Sequence, residues 1–294
     1  MDEKDFEIIK ALDKNCRISF SQIAKDVNLS IRTISLRINS LIERNILKKF
    51  TLYFNPDYLG VRHYLCSCET FSNFSIKNFL DEIKNIKEIY QIWQFLDNNL
   101  LFSLYCKNAY QVEQTINKIL DFGLNLLNYS ETRTYKPPDI PFSRIDWKII
   151  YALFNNARLP KSEIAKRLNL SEKTIKRRLN RLRNMKLVQF TTELNFEAIK
   201  GMVTAIISLE TTERLKDIYL KIKKDKEIKY WRHAELVVPS MALFVYGKSV
   251  AEIYDIYLKL RSMKEIKQIS LNFVVKNWNN SKVIEDAILV KIGE

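Results

Sequence analysis

Five cations crowd one short stretch of this sequence: Lys173, Lys176, Arg177, Arg178 and Arg181, with Thr174 and Asn180 among them. Ammonium and guanidinium groups neutralise phosphates, and Arg or Asn can also hydrogen-bond to base edges. Read as a helix, the stretch puts Ile175, Leu179 and Leu182 on one face, spaced four and three apart. Lys173, Lys176, Arg177, Asn180 and Arg181 then point outward, with Arg178 at the margin. That is a surface built for a polyanion. A second set stands 141 residues upstream: Arg32, Thr33, Ser35, Leu36, Arg37 and Asn39. It is less basic, and Leu36 is apolar. A plain solvated helix face is the bland reading of either set, but it leaves the surrounding pattern unexplained.

The charge is concentrated at the same place. The 294-residue chain has a net charge of +14, and about +10 of it lies in residues 143–190. Residues 51–142 are slightly acidic. A localised basic excess points to nucleic acid. Other chemistry is poorly supplied. Only five glycines occur, and none forms a phosphate-cradling loop. Cys16, Cys66, Cys68 and Cys106 lack CxxC spacing and read as reduced thiols, so neither a disulfide frame nor a zinc site is expected. No catalytic residues, metal or cofactor are expected. His63 reads as structural or exposed, and His233 as a strand residue. Asp81-Glu82 and Glu285-Asp286 read as surface charge; Trp93, Trp147, Trp231 and Trp278 read as core or interface. No run approaches the ~18 apolar residues of a membrane span. The acidic, helix-patterned N-terminus is unlike a secretory signal. A cytoplasmic protein is expected.

The elements that must position the two cation sets are themselves duplicated. Asp5 to Lys48 aligns without a gap on the sequence 141 residues later, with about 19 of 44 positions identical. In the later copy, helices are predicted over about 145–155, 160–168 and 171–185. Pro160 suits a first helical position, Asn169-Leu170 the turn and Ser171 an N-cap. In the earlier copy, Ile34, Ile38 and Leu41 repeat the apolar stripe behind Ser30, and Ser19 with Gln22 reads as a capping box. The turn before the third helix is too short for antiparallel packing and fits a helix-turn-helix, whose second helix enters the major groove. The β-like runs 47–54 and 188–194 read as wing hairpins or their first strands.

The intervening segments alternate strand, helix, strand, strand, helix, strand. Strands are expected at about 63–71, 89–96, 100–106 and 125–135, and again near 202–210, 228–237, 241–247 and 266–277. Helices are expected at 75–86, 109–121, 213–224 and 250–262. This is a ferredoxin-like plan. Leu100–Tyr105 and Ala242–Tyr246 are apolar on both faces, which predicts sheet-to-sheet association. The fold class is therefore α+β: two winged helix-turn-helix domains (1–54 and 143–195) alternating with two ferredoxin-like βαββαβ domains (55–135 and 196–294). A linker at 136–142 carries three of the six prolines. The amphipathic segment Ser281–Glu294 has no assigned role.

Several stretches carry a resemblance. Ile145–Leu153, Arg158-Leu159, Glu163–Ser171 and Arg177–Leu182, together with Asn55-Pro56 and Leu59-Gly60, resemble the Lrp/AsnC family of feast/famine regulators, twice over. The resemblance implies promoter binding to double-stranded DNA by the winged heads. It implies oligomerisation through the α/β domains, and often a small-molecule effector. One chain would then act as a pseudo-dimer, with further pairing into a homodimer left open. The effector site of the family has a Gly and an Asp between the third strand and second helix of the α/β domain. Here Cys106–Tyr110 keeps neither and Gly247–Glu252 keeps only the Gly, which puts amino-acid sensing in doubt. Two alternatives share the fold or the partner. Sirohaem decarboxylases resemble this family and use His, Tyr and Arg near the middle strands, where this chain has Tyr230–His233 and Tyr90–Trp93. An architectural protein could instead coat DNA without sequence preference.

Overall fold

The computed structural model describes residues 1–71, 76–83, 85–132, 142–184, 188–235 and 240–293. The linker 136–141, Met185 at the end of the third helix of the later copy, the first residue of the helix expected at 75–86, and the outer ends of the strands expected at 125–135 and 228–237 lie outside them. The first half runs α1 (Glu3–Lys14), α2 (Phe20–Val27), α3 (Ile31–Glu43), β1 (Leu47–Phe54), β2 (Arg62–Glu69), α4 (Ile76–Ile83), β3 (Ile89–Phe95), β4 (Leu100–Cys106), α5 (Ala109–Leu120) and β5 (Asn125–Glu131). The second half runs α6 (Arg144–Phe154), α7 (Lys161–Leu168), α8 (Glu172–Asn184), β6 (Val188–Leu194), β7 (Val203–Thr211), α9 (Leu215–Lys224), β8 (Tyr230–Glu235), β9 (Ser240–Gly247), α10 (Val250–Arg261), β10 (Ile266–Asn279) and α11 (Lys282–Ile292).

Local chemistry sets the helix ends. Ser30 and Ser171 accept the backbone N–H of Thr33 (3.0 Å) and Thr174 (3.1 Å), starting α3 and α8. Ser19 likewise caps α2 through the N–H of Gln22 (3.2 Å), but the Gln22 side chain donates to Asp26 (2.8 Å), so the expected box is not reciprocal. Pro160 sits at the N-cap of α7, one place earlier than expected. Asn28 and Asn169 end α2 and α7 in the left-handed region, at φ 56° and 52°. Asn tolerates that conformation. The following leucine N–H groups return to Ala24 O (3.0 Å) and Ala165 O (2.9 Å), which closes the turn that angles α3 on α2 and α8 on α7.

The chain forms two compact units. One comprises Glu7–Gly60, Tyr135–Asn195 and Ser281–Glu294. Its core repeats the aligned apolar set: Ile8, Ile9, Leu12, Ile23, Ile34, Ile38 and Leu41 are buried, as are Ile149, Ile150, Leu153, Ile164, Ile175, Leu179 and Leu182. The runs expected as wing hairpins or their first strands are each a single strand. β1 and β6 pair with each other, antiparallel, from Leu47↔Leu194 to Phe54↔Val188. Each is followed by a 3-10 turn (Pro56–Leu59 and Phe196–Ala198), so no return strand is supplied locally and the other copy provides the partner. The closing segment is α11, packed against α6. Arg144 Nε donates to Ile292 O (2.6 Å), satisfying one of its last carbonyls.

The other unit comprises Met1–Phe6, Val61–Thr134 and Phe196–Asn280. Its strands form one eight-stranded antiparallel sheet, in the order β5-β2-β4-β3-β10-β7-β9-β8. Each half shows the ferredoxin-like order. The two halves meet edge to edge. β10 pairs with β7 through Phe273 and with β3 from Val274 onward. Leu100, Phe102 and Leu104 face α4 and α5, and Met241, Leu243 and Val245 face α9 and α10. The opposite face is buried too, at Ser103, Tyr105, Ala242, Phe244 and Tyr246. Phe6 stacks on Tyr246 there (centroids 4.2 Å apart), and Phe196 lies against Trp231. The doubly apolar strands are thus buried on both sides, and the two halves join at a strand edge.

Candidate nucleic-acid interface

The third helix of the second head, α8, divides its residues between two tasks. Lys173, Lys176, Arg177 and Asn180 are exposed, on the side away from the buried Ile175, Leu179 and Leu182. Arg183, which the sequence reading missed, joins them in the last turn. It lies three residues past Asn180, outside the apolar stripe, so the helical period alone could have found it.

Arg178 and Arg181, both expected among the DNA contacts, also bind within the fold. Arg178 Nη1 donates to Asp146 Oδ1 (2.8 Å) and to Ser143 Oγ (2.8 Å), and Arg181 Nη1 donates to Asp146 Oδ2 (3.2 Å). The Asp146 side chain is 1% exposed and that of Arg178 19%. Asp146 is also the third residue of the capping box that starts α6: the Ser143 N–H donates to it (2.9 Å), and its own N–H donates to Ser143 Oγ (3.2 Å). Burial pushes the Asp146 carboxyl up. The bonds from Arg178 and Ser143 and the guanidinium charge outweigh that, and its pKa falls below the ordinary carboxylate value. The pair therefore bolts α8 onto the start of α6. A buried carboxylate inside a basic segment was the overlooked signal.

Thr174 and Thr33 are half-buried beside their caps, each hydroxyl within 2.9 Å of the N-cap serine hydroxyl. They shape the helix start. On α3, Arg32 and Asn39 are exposed, while Ser35 and Arg37 are half-buried, Arg37 at the place Arg178 takes in α8. Three apolar residues of α3 are open to solvent: Ile31 (55%), Leu36 (61%) and Ile42 (43%).

The two heads are locked to each other by a near-symmetric set of bonds. The Cys16 N–H donates to Phe190 O (2.8 Å), and the Ala157 N–H to Phe50 O (2.9 Å). Arg17 Nη1 donates to Ala157 O (2.5 Å) and Leu159 O (3.0 Å), and Arg158 Nη1 to Cys16 O (2.7 Å). Asn15 and Asn156 hold the two arginines in place by accepting their backbone N–H groups (3.1 Å each). The Arg158 guanidinium also lies over the Phe20 and Phe50 rings, at 4.8 and 5.3 Å. Burial lowers the pKa of both arginines, and it pushes the Cys16 thiol up to about 12. The identical Asn-x-Arg in both copies was visible in the sequence. That each arginine reaches across to the other copy was not.

No group of three or more His, Cys, Asp or Glu side chains able to hold a metal ion occurs among the described residues. Nor is any described helix long and apolar enough to cross a membrane.

A family model described as winged helix-turn-helix DNA-binding matches the chain twice, at residues 1–48 and 142–189. An HTH-type transcriptional regulator of Pyrococcus furiosus is 36% identical over 86 residues, covering 29% of this chain and 58% of the relative. The HTH-type transcriptional regulator Ptr1 of Methanocaldococcus jannaschii is 27% identical over 94 residues, 32% of this chain and 64% of that protein. The chain thus spans about three-fifths of the length of these relatives. Among solved structures, the siroheme decarboxylase NirDL covers 99% of both chains at 16% identity, with a TM-score of 0.56. That likeness shows the fold alone. The chain thus carries two stretches that match a winged helix-turn-helix DNA-binding model, and it is similar in part to HTH-type transcriptional regulators.

Proposed function

We propose that this protein is a sequence-specific DNA-binding transcription regulator in which one chain acts as a pseudo-dimer. The observation that carries the proposal is the pairing of two winged heads within one unit, one of which leaves Lys173, Lys176, Arg177 and Arg183 open to solvent on its third helix. In a helix-turn-helix that helix lies in the major groove. The β1–β6 ribbon and the crossed arginines hold the heads at one separation. Two unlike heads at a fixed separation call for two unlike half-sites.

The enzymatic alternative draws on the fold of the siroheme decarboxylase. Both histidines of this chain are already engaged. His63 Nε2 is 2.6 Å from Ser103 Oγ and its Nδ1 is 3.0 Å from Thr132 Oγ1. His233 stacks on Tyr219 at 4.1 Å. These contacts support the regulator reading over one in which an imidazole waits for a tetrapyrrole. The effector loops are also closed on themselves. The Lys107 N–H donates to Gln111 Oε1 (2.7 Å) and the Lys248 N–H to Glu252 Oε2 (3.1 Å).

Selection from a pool of random-core duplexes, followed by salt titration on the enriched duplex, tests the proposal. A motif with two different halves is expected. About three phosphate contacts from α8, at Lys173, Lys176 and Arg183, give a log–log salt slope of about −2.7. Retention without an enriched motif favours a DNA-coating protein. A slope near zero overturns DNA binding altogether.

A further inference from the structure

The first head carries an exposed apolar surface where the second carries charge. Ile31 opens α3 and Leu36 lies in its second turn, 55% and 61% exposed. Their counterparts in α8, at the repeat offset, are Glu172 and Arg177, both exposed. Scattered exposed leucines are ordinary on protein surfaces. These two are placed differently. The N-terminal residues of the second helix are the ones that meet base edges in a helix-turn-helix. Leu36 is four residues from the exposed Arg32 and three from the exposed Asn39, so all three share one helix face. The DNA-binding family model matches this head as it does the other.

We infer that the first head reads thymine, through contact of the Leu36 and Ile31 side chains with thymine C5-methyl groups in the major groove. The inference rests on the DNA-binding reading above and adds the identity of the bases. Among the four bases only thymine presents an apolar group in that groove, and apolar side chains are its partners. Arg32 supplies the phosphate contact that holds the helix in register, and Asn39 can pair with an adenine. The second head reads differently. Arg177 matches the O6 and N7 acceptors of guanine, and Glu172 the N4 donor of cytosine. The operator should therefore hold one half-site with thymines under α3 and one with a G·C pair under α8.

The test uses the enriched duplex and a version in which deoxyuridine replaces thymidine in one half-site at a time. Uracil keeps every hydrogen-bonding group and lacks only the methyl. For the full chain, substitution in the thymine-containing half-site should weaken binding about fourfold for each contacted base. Substitution in the other half-site should change nothing. Leu36→Ala should lose the uracil effect at one thymine and keep it at the one met by Ile31, and Leu36→Arg should shift selection at one position from T·A to G·C. Leu36 is exposed, so the thermal unfolding of both variants should match wild type.

Uracil substitution that is neutral in both half-sites, while DNA is still bound, overturns thymine reading and spares the regulator proposal. Uracil sensitivity in Leu36→Ala that is undiminished at every thymine overturns the role of that residue. No duplex bound at all overturns both readings, and it turns the apolar face toward a protein partner.

Discussion

Arg177 and Arg178 are neighbours of identical chemistry on one helix, yet the structure gives them opposite work. In Arg178→Met the packing volume is largely kept and the guanidinium is lost. Asp146, almost fully buried, then retains Arg181 at 3.2 Å and the two Ser143 donors. Stripping the only partner from a buried ion pair costs about 3–5 kcal/mol. With these partners left, about 2 kcal/mol is expected, concentrated where α6 meets α8. Arg177→Met, on the open face, should change stability by less than about 0.5 kcal/mol. It should instead weaken DNA binding and relax the preference for guanine at one position. Urea unfolding with hydrogen exchange at the α6 and α8 amides reads the first effect, and duplex selection reads the second. Adding Asp146→Asn to Arg178→Met should cost less than the two changes summed, because the buried group is then neutral. If Arg178→Met unfolded like wild type while its salt slope fell by about one, this division of labour would be refuted.

Three further outcomes follow from named contacts. Arg17→Ala frees the carbonyls of Ala157 and Leu159, and Arg158→Ala that of Cys16. Each change should destabilise the paired heads by about 1–3 kcal/mol, read as faster amide exchange in β1 and β6. The depressed pKa of Asp146 adds stability that is fully present above the unfolded value near 3.9 and is lost as pH falls through the folded value. α6 and α8 should therefore lose protection in acid, and Asp146→Asn should remove that pH dependence. Burial holds the pKa of His63 near 4, so below about pH 6.5 the unfolded chain takes up a proton that the folded one refuses. Stability of the sheet unit should decline from pH 6.5 to 4 by up to about 1.4 kcal/mol per pH unit, and His63→Gln should flatten that decline in calorimetry.

What the sequence determined by itself was whatever depends on near neighbours. The offset of 141 exposed the duplication, and the 3.6-residue period placed Ile175, Leu179 and Leu182 inward and Lys173, Lys176 and Arg177 outward. Ser30, Ser171 and Asn169 marked helix ends because caps and left-handed turns are short-range hydrogen-bond chemistry. Alternating strands and helices gave the βαββαβ plan for the same reason. Tertiary structure decided everything that joins residues far apart in the chain. Periodicity shows which side of α8 faces outward, but not that Asp146, 32 residues before Arg178, waits at the margin to claim that cation. β1 and β6 read alike as strands, and an unpaired strand carries no mark of whether its partner is local or lies in the other copy. The β3–β10 seam, the docking of α11 on α6 and the crossed arginines are equally invisible locally. Backbone edges and buried charges accept any partner that satisfies them, and only the packed chain determines which one arrives.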